Sequence, residues 1–396
     1  MTGSRDVGET IGYQLRRLRR LRGMTQEELA DHANVSRDLV AKLEQGRRQS
    51  ARIASLASLA RALDVELSAL VKPAGPVPVS ITDSRHRRSR AGVGAWDSTT
   101  AIIDAGALVE RVHRAYQAAR YSEVVGLLPS VTDSVDVLVG EGPASTRREA
   151  VRLRASVAIA AAKLATKAGD ALTGRSAAEQ ARDAAEDAED TFGQAASTYQ
   201  LTCALLRAGG AQERDEAERL AVGSAEDLRG ADADSLSWRG ALMLIGALIA
   251  ARRGDPVEAG RRLDHAEDLA HRLGGDRNVG WTAFGPTNVM IHRVSATVAL
   301  GDPLGALAIA ELVDVAAMPS GLHGRQAQLH LDSAWAHAEL GDDALAVIHL
   351  LDTERVAPEL LMISPDARGL IRGLLRRERR AVPGLRGLAL RAGVAA

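Results

Sequence analysis

The stretch V-S-R-D-L-V-A-K-L-E-Q-G, from Val35 to Gly46, decides how the front of this chain is read. Ser36 can cap a helix running from Arg37 to Gln45, and Gly46 can stop it. A serine hydroxyl accepts a free first-turn amide, and glycine tolerates the left-handed turn past a helix end. Val35, Val40 and Leu43 are expected to face a core, and Arg37, Asp38, Ala41 and Lys42 to lie on the other side. Upstream, T-Q-E-E at Thr25–Glu28 is a capping box, with Met24 and Leu29 where a hydrophobic staple would sit. A helix is therefore predicted from about Gln26 to His32, followed by a tight turn at Asn34. Ile11, Leu15, Leu18 and Leu21 form an earlier helical stripe that Gly23 ends. Ile53, Leu56, Leu59 and Leu63 form a fourth, and Val65, Leu67 and Leu70 a short fifth. The pattern predicts a small five-helix domain whose second and third helices make a helix-turn-helix.

Three segments agree in order and spacing with a known pattern: T-Q-E-E-L-A at Thr25–Ala30, Val35–Gly46, and L-A-S-L-A-R-A-L-D-V at Leu56–Val65. Together they resemble the phage-repressor (Xre-type) helix-turn-helix family. The resemblance implies that the third helix enters the major groove of double-stranded DNA with its N-terminal half facing bases. Gln26, Ser36, Arg37, Asp38, Lys42, Arg47 and Arg48 are then the expected DNA-binding residues. Arg37 is the expected base reader, since a guanidinium can bind guanine O6 and N7 together, and Lys42 does likewise or takes a phosphate. Gln26 matches the family position that grips phosphate, and Arg47 and Arg48 lie where backbone contacts are made. Asp38 either accepts from cytosine N4 or orients Arg37. Leu39 either touches a thymine methyl or packs.

Charge is distributed unevenly. Met1 to Arg90 holds 17 Lys/Arg against 10 Asp/Glu, a balance of +7, while the remainder carries −8. A basic head on an acidic body is the asymmetry of a DNA reader joined to a sensor or partner domain. Aromatics make up 3% of the chain and hydrophobic residues 46%, with alanine and leucine dominant, which suits close-packed helices and gives poor material for strands. Cys203 is the only cysteine, so neither an internal disulfide nor a cysteine-based zinc cluster can form. The longest uncharged apolar run lies between Arg239 and Arg252, short of the roughly 20 residues a bilayer span needs, and the N-terminus lacks a signal-peptide pattern. The expectation is a cytoplasmic, nucleoid-associated protein with no membrane segment.

Lys72-Pro-Ala-Gly-Pro-Val-Pro opens a stretch without helical period, and Arg85-His-Arg-Arg-Ser-Arg adds a basic cluster. The expected organisation is a DNA-binding domain over 1–72, a basic flexible linker over 73–100 and a repeat domain over 101–396. The linker's basic cluster either follows DNA phosphates, enters a minor groove or belongs to a solvated tether.

Repetition dominates the rest. Breaks at Gly169-Asp170, Gly209-Gly210, Gly254-Asp255, Gly301-Asp302 and Gly341-Asp342 recur at intervals of 40, 45, 47 and 40 residues, each joining two amphipathic segments. Such a period signals stacked helical hairpins, and five to seven would fill the body. The units, clearest at Ala334–Leu345, resemble tetratricopeptide repeats. A repressor-like head on such a body resembles the peptide-sensing regulators of Gram-positive bacteria and a set of actinobacterial regulators, the latter more closely through W-T-A-F-G-P-T-N-V at Trp281–Val289. The predicted fold is all-α, a helix-turn-helix domain followed by an α-solenoid.

Gly285-Pro286 can open a helix on which Asn288 and His292 share one face, with Trp281 and Phe284 just ahead. These four either line a groove for a peptide or small-molecule effector or form a helix cap and packing plug. Signs of catalysis are missing. The sequence has no phosphate loop, no G-x-G-x-x-G after a strand and no G-x-S-x-G. His265 and His271 are off-face, His330 and His337 have no carboxylate between them at a ligand position, and Glu179–Asp190 reads as a solvated face. The chain is thus expected to be no enzyme, with no metal and no cofactor. It is expected to be a homodimeric regulator on a palindromic operator; the alternative is a protein-docking scaffold anchored to DNA by its head.

Overall fold

The computed structural model describes residues 15, 16, 19, 24–33, 35–45, 58, 59, 62, 63, 98–378 and 382–394, and among these every regular element is helical. The chain divides into two units, Met1–Pro78 and Val79–Ala396. Ile11, Leu18, Leu21, Asn34, Gly46, Arg47, Arg48, the fifth head helix and 73–97 of the expected linker lie outside the described residues, while its last three residues, 98–100, are helical.

In the first unit, α1 (Gln26–Ala33) and α2 (Arg37–Glu44) are the second and third helices of the sequence reading. The capping box forms: the Glu28 amide donates to Thr25 Oγ1 at 3.2 Å, and the Thr25 amide donates to Glu28 Oε2 at 2.7 Å. The Leu39 amide donates to Ser36 Oγ at 3.2 Å, which starts α2 where the sequence places it. Leu15, Leu29, Val40, Leu43, Leu59 and Leu63 are wholly buried in one core, with Met24, Val35 and Leu39 packed against it.

The second unit holds α3 (Ser98–Gln117), α4 (Tyr121–Glu141), α5 (Ala144–Lys167), α6 (Ala171–Asp187), α7 (Thr191–Ala208), α8 (Ala211–Asp227), α9 (Ala233–Arg252) and α10 (Pro256–Leu273). It continues with α11 (Pro286–Ala299), α12 (Pro303–Ala310), α13 (His323–Glu339), α14 (Asp343–Val356), α15 (Pro358–Ile363), α16 (Pro365–Arg377) and α17 (Leu385–Arg391). Pairing α3 with α4, α5 with α6, and so on to α13 with α14, then α16 with α17, gives helical hairpins in series. The Gly-Asp breaks work by a division of labour. Gly169, Gly254 and Gly301 take φ of +87°, +78° and +79°, conformations that cost an L side chain. The following Asp170, Asp255 and Asp302 each accept the amide three residues on, at 2.9–3.0 Å, and cap the next helix. Two turns escaped the sequence reading because their left-handed residues are Ala119 (φ 56°) and Glu189 (φ 48°), neither of them glycine.

The first helices of successive hairpins, α3, α5, α7, α9, α11 and α13, pack side by side, and α13 returns to pack on α3. The row therefore closes on itself around an interior. α15 packs on α4, with the Ser122 amide donating to the Glu359 carboxylate at 2.6 Å. Arg207 on α7 and Asp366 on α16 join through two bonds of 2.9 Å. α9 is long and apolar enough to cross a membrane by length and composition, longer than the uncharged run within it suggests. Yet 78% of its most apolar window is buried inside the body, as in a core helix.

Candidate nucleic-acid interface and interior cavity

On α2 the core and solvent faces separate as the heptad-like spacing requires. Val40 and Leu43 are buried, whereas Ser36, Arg37, Asp38 and Lys42 are exposed. Lys42 Nζ lies 2.7 Å from Asp38 Oδ2, both side chains more than half exposed. An exposed i,i+4 pair is worth only about 0.3–0.5 kcal/mol, so a phosphate can draw Lys42 away from it. Asp38 thus pairs with Lys42, and Arg37 is left pointing to solvent without an ion pair among the described residues.

A network that the sequence reading passed over holds this helix in place. Arg19 donates from Nε and Nη2 to the two Glu44 oxygens at 2.6 and 2.8 Å, and from Nη1 to the Met24 carbonyl at 2.6 Å. Gln26, expected at a phosphate, instead donates Nε2 to Glu44 Oε2 at 2.7 Å. Its position at the start of α1 stands, but its side chain is spent on the core network. Arg19 and Glu44 are both buried. Burial pushes the Glu44 carboxyl up, but the bonds from Arg19 and Gln26 outweigh it and hold the carboxyl below its ordinary range.

The four residues singled out in the Trp281–Val289 region do not meet in one groove. Phe284 is wholly buried, its ring filling the space above Gly240, where a Cβ would come within 1.9 Å of it. Asn288 is buried with Oδ1 unpartnered, and its carbonyl accepts from His292 Nδ1 at 2.9 Å. Burial pushes His292 down to about 3. Trp281 is half-buried and stacks on His113 of α3, ring centroids 5.3 Å apart. Its loop carries Trp281 and Ala283 at φ 63° and 52°, each a strained conformation costing about 1–3 kcal/mol. Gln117 of α3 sustains it, donating to Asn278 Oδ1 at 2.9 Å and the Trp281 carbonyl at 3.2 Å, while Asn278 Nδ2 donates back to Gln117 Oε1 at 2.7 Å. The segment is a strap tying the middle of the repeat row to its first helix.

Within the ring lie two adjoining cavities of about 190 and 400 Å³. Lys167, Tyr199, Cys203, Arg207, Arg325 and Gln328 line both. Trp281 reaches the smaller and His292 the larger, whereas Phe284 and Asn288 reach neither. Burial pushes Lys163 and Lys167 down to about 8 and Asp332 up to about 6, although Ser295 and Gln328 both donate to Asp332. Two signals were present in the sequence. Lys163 and Lys167 are the only lysines after Lys72, spaced one helical turn apart. The ten aromatic residues are scarce, and six of them, Tyr116, Tyr121, Tyr199, Trp238, Trp281 and Trp335, line these cavities.

Folding also assembles a cluster that chain spacing hid. His330 on α13 meets His349 and Asp352 on α14, with ligand atoms within 4.8 Å of one another. The His330 and His349 Nδ1 atoms are 3.5 Å apart, and His337 stacks on His349. The neighbouring helix thus brings a histidine and a carboxylate to His330 at metal-ligand spacing, a grouping of His330, His349 and Asp352 that leaves His337 out.

Residues 10–70 match the family model described as a helix-turn-helix domain. An uncharacterized HTH-type transcriptional regulator, y4dJ of Sinorhizobium fredii (strain NBRC 101917 / NGR234), is 37% identical over 73 residues, 18% of this chain and 94% of that relative. The crystal structure of Bacillus thuringiensis PlcR in complex with the peptide PapR7 and DNA is 12% identical, at a TM-score of 0.36 over 81% of this chain and 99% of that one, a likeness too distant to carry an assignment. With a Ser36-capped second helix of the motif, an exposed cationic face upon it and a relative spanned almost end to end by its head, the chain belongs to the helix-turn-helix transcriptional regulators.

Proposed function

We propose that this regulator binds a palindromic operator in double-stranded DNA as a homodimer, and that an effector held inside its repeat body sets its affinity for that operator. The observation that carries the reading is α2, capped by Ser36 with Arg37, Asp38 and Lys42 exposed along one side. Arg37 reads a base edge, Lys42 takes a phosphate or a second base, and Asp38 steers Lys42 until DNA replaces it. Gln26 contributes through the start of α1 rather than through a free amide, and Arg47 and Arg48 add backbone contacts. One helix-turn-helix covers only a half-site, so two copies are needed for useful specificity. The body acts as sensor, working in the cytoplasm without catalysis.

A second reading is favoured by a different observation. Leu172, Val257 and Leu304, each two residues past a capping aspartate, are 83%, 80% and 68% exposed, an apolar row carried by three of the hairpins. Such a row suits a protein partner or a second copy. Sequencing genome fragments retained by the purified full-length chain at moderate salt tests the main reading. Enrichment of a palindrome that is lost with Arg37→Ala supports it. Retention of bulk DNA alone, together with co-purification of one protein partner, would move the body to the scaffold role.

A further inference from the structure

The interior of the body is unbalanced in charge. Arg207 is neutralised by Asp366. That leaves Lys163, Lys167, Arg252 and Arg325 facing the two cavities against the single carboxylate of Asp332. Among the described residues none of these four cations has a carboxylate within 4.0 Å. Lys163 is 9% exposed, its Nζ 5.9 Å above the Tyr116 ring, and Arg325 acts electrostatically on both lysines. Cations gathered in a low-dielectric interior without partners are costly, and a fold that keeps them has a use for an anion there.

The choice of side chain carries further information. This chain places arginine almost everywhere it needs a positive charge, yet the only two lysines of its repeat body sit one turn apart on α5, both in the cavity wall. Arginine offers a planar fork; lysine offers a compact charge with three rotatable donors, which can converge on the oxygens of one headgroup. The same wall concentrates the chain's scarce aromatics, so one end of a ligand meets ammonium groups and the other meets rings. The cavities fall in or near the range of about 300–1,000 Å³ that holds a metabolite-sized ligand.

We infer that the interior cavity binds a small organic polyanion, its phosphoryl or carboxylate groups seated between Lys163, Lys167 and Arg325 and its less polar part against Tyr199 and Trp238. The inference rests on the reading of the body as an effector-binding unit and supplies that effector's chemistry. Entry of the anion neutralises the facing cations of α5 and α13 at once, and so stiffens the closure of the ring.

The test titrates full-length protein with inorganic pyrophosphate and, separately, with citrate, by isothermal calorimetry, while operator affinity is followed with and without each probe. Saturable binding weakened about tenfold or more by Lys163→Met and by Lys167→Met supports the site. Pyrophosphate binding the tighter marks a phosphoryl ligand, and citrate a polycarboxylate. Both methionine variants remove an unpaired charge, buried at Lys163 and half-buried at Lys167, so each should fold and melt no lower than wild type; Lys167→Arg should keep most of the affinity. No saturable binding of either probe at millimolar concentration, or binding that both variants leave unchanged, overturns the inference while leaving operator recognition standing. Binding that the lysine variants abolish but that never alters operator affinity keeps the anion site and removes the effector reading.

Discussion

Glu44→Ala is the substitution whose consequence the structure fixes most tightly. The carboxylate accepts two charge-assisted bonds from Arg19 and one from Gln26, all between 2.6 and 2.8 Å, and the pair is buried. Removing it leaves a guanidinium inside the head whose one remaining partner among the described residues is the Met24 carbonyl. Breaking a buried pair from one side costs about 3–5 kcal/mol. Arg19 keeps 11% of its side chain exposed, so the lower end applies, about 3 kcal/mol and roughly a hundredfold in the folded-to-unfolded ratio. A unit the size of Met1–Pro78 holds roughly 4–12 kcal/mol in all, so this is a large fraction of its stability. The midpoint at which the full-length chain loses operator on heating should fall by about 10–25 °C, read by fluorescence anisotropy, while the helical signal of the body melts as before. The double variant Arg19→Met/Glu44→Leu should recover most of the loss, because an apolar pair needs no partner for a stranded charge. A single variant that keeps the wild-type midpoint, or a double variant as damaged as the single, would refute the argument from desolvation.

The same pair sets an acid limit. Glu44 is held below its ordinary range, so its contribution is fully present above the unfolded value of about 4.3 and is lost as pH falls through the lower folded value; operator binding should fail in that window before the body unfolds by circular dichroism. Arg37→Ala should cost about 1–3 kcal/mol at one operator position, whereas Lys42→Ala should weaken all sequences alike and lower the salt slope by about 1, which binding at several salt concentrations separates. Gly240→Ala drives a methyl to within 1.9 Å of the Phe284 ring and should destabilise the body by about 1–3 kcal/mol in urea, with DNA recognition at low denaturant unchanged. Cys203 is pushed up to about 11 by burial, so native protein should react with a thiol reagent far more slowly than unfolded protein at pH 8; equal rates would place the thiol at the surface.

What the sequence determined by itself was everything governed by neighbours a few residues apart. The T-Q-E-E box, the Ser36 cap and the Val40/Leu43 spacing locate α1, α2 and their exposed face, because caps and helical periods are local physics. The Gly-Asp breaks announce hairpins for the same reason, glycine taking the left-handed turn and aspartate the next free amide. Turns built on Ala119 and Glu189 stayed hidden because their left-handed backbone is imposed by packing rather than by residue type. Arg19 and Glu44 lie 25 residues apart, and no pattern in either helix marks them as partners. The strap residues were legible as an interruption of the repeat, but only the fold shows Phe284 against Gly240 and Trp281 against His113. Closure of the ring decides the rest. It brings Lys163, Tyr199, Trp238 and Arg325 from four helices to one cavity, since burial and charge depend on distance in space, where periodicity along the chain is silent.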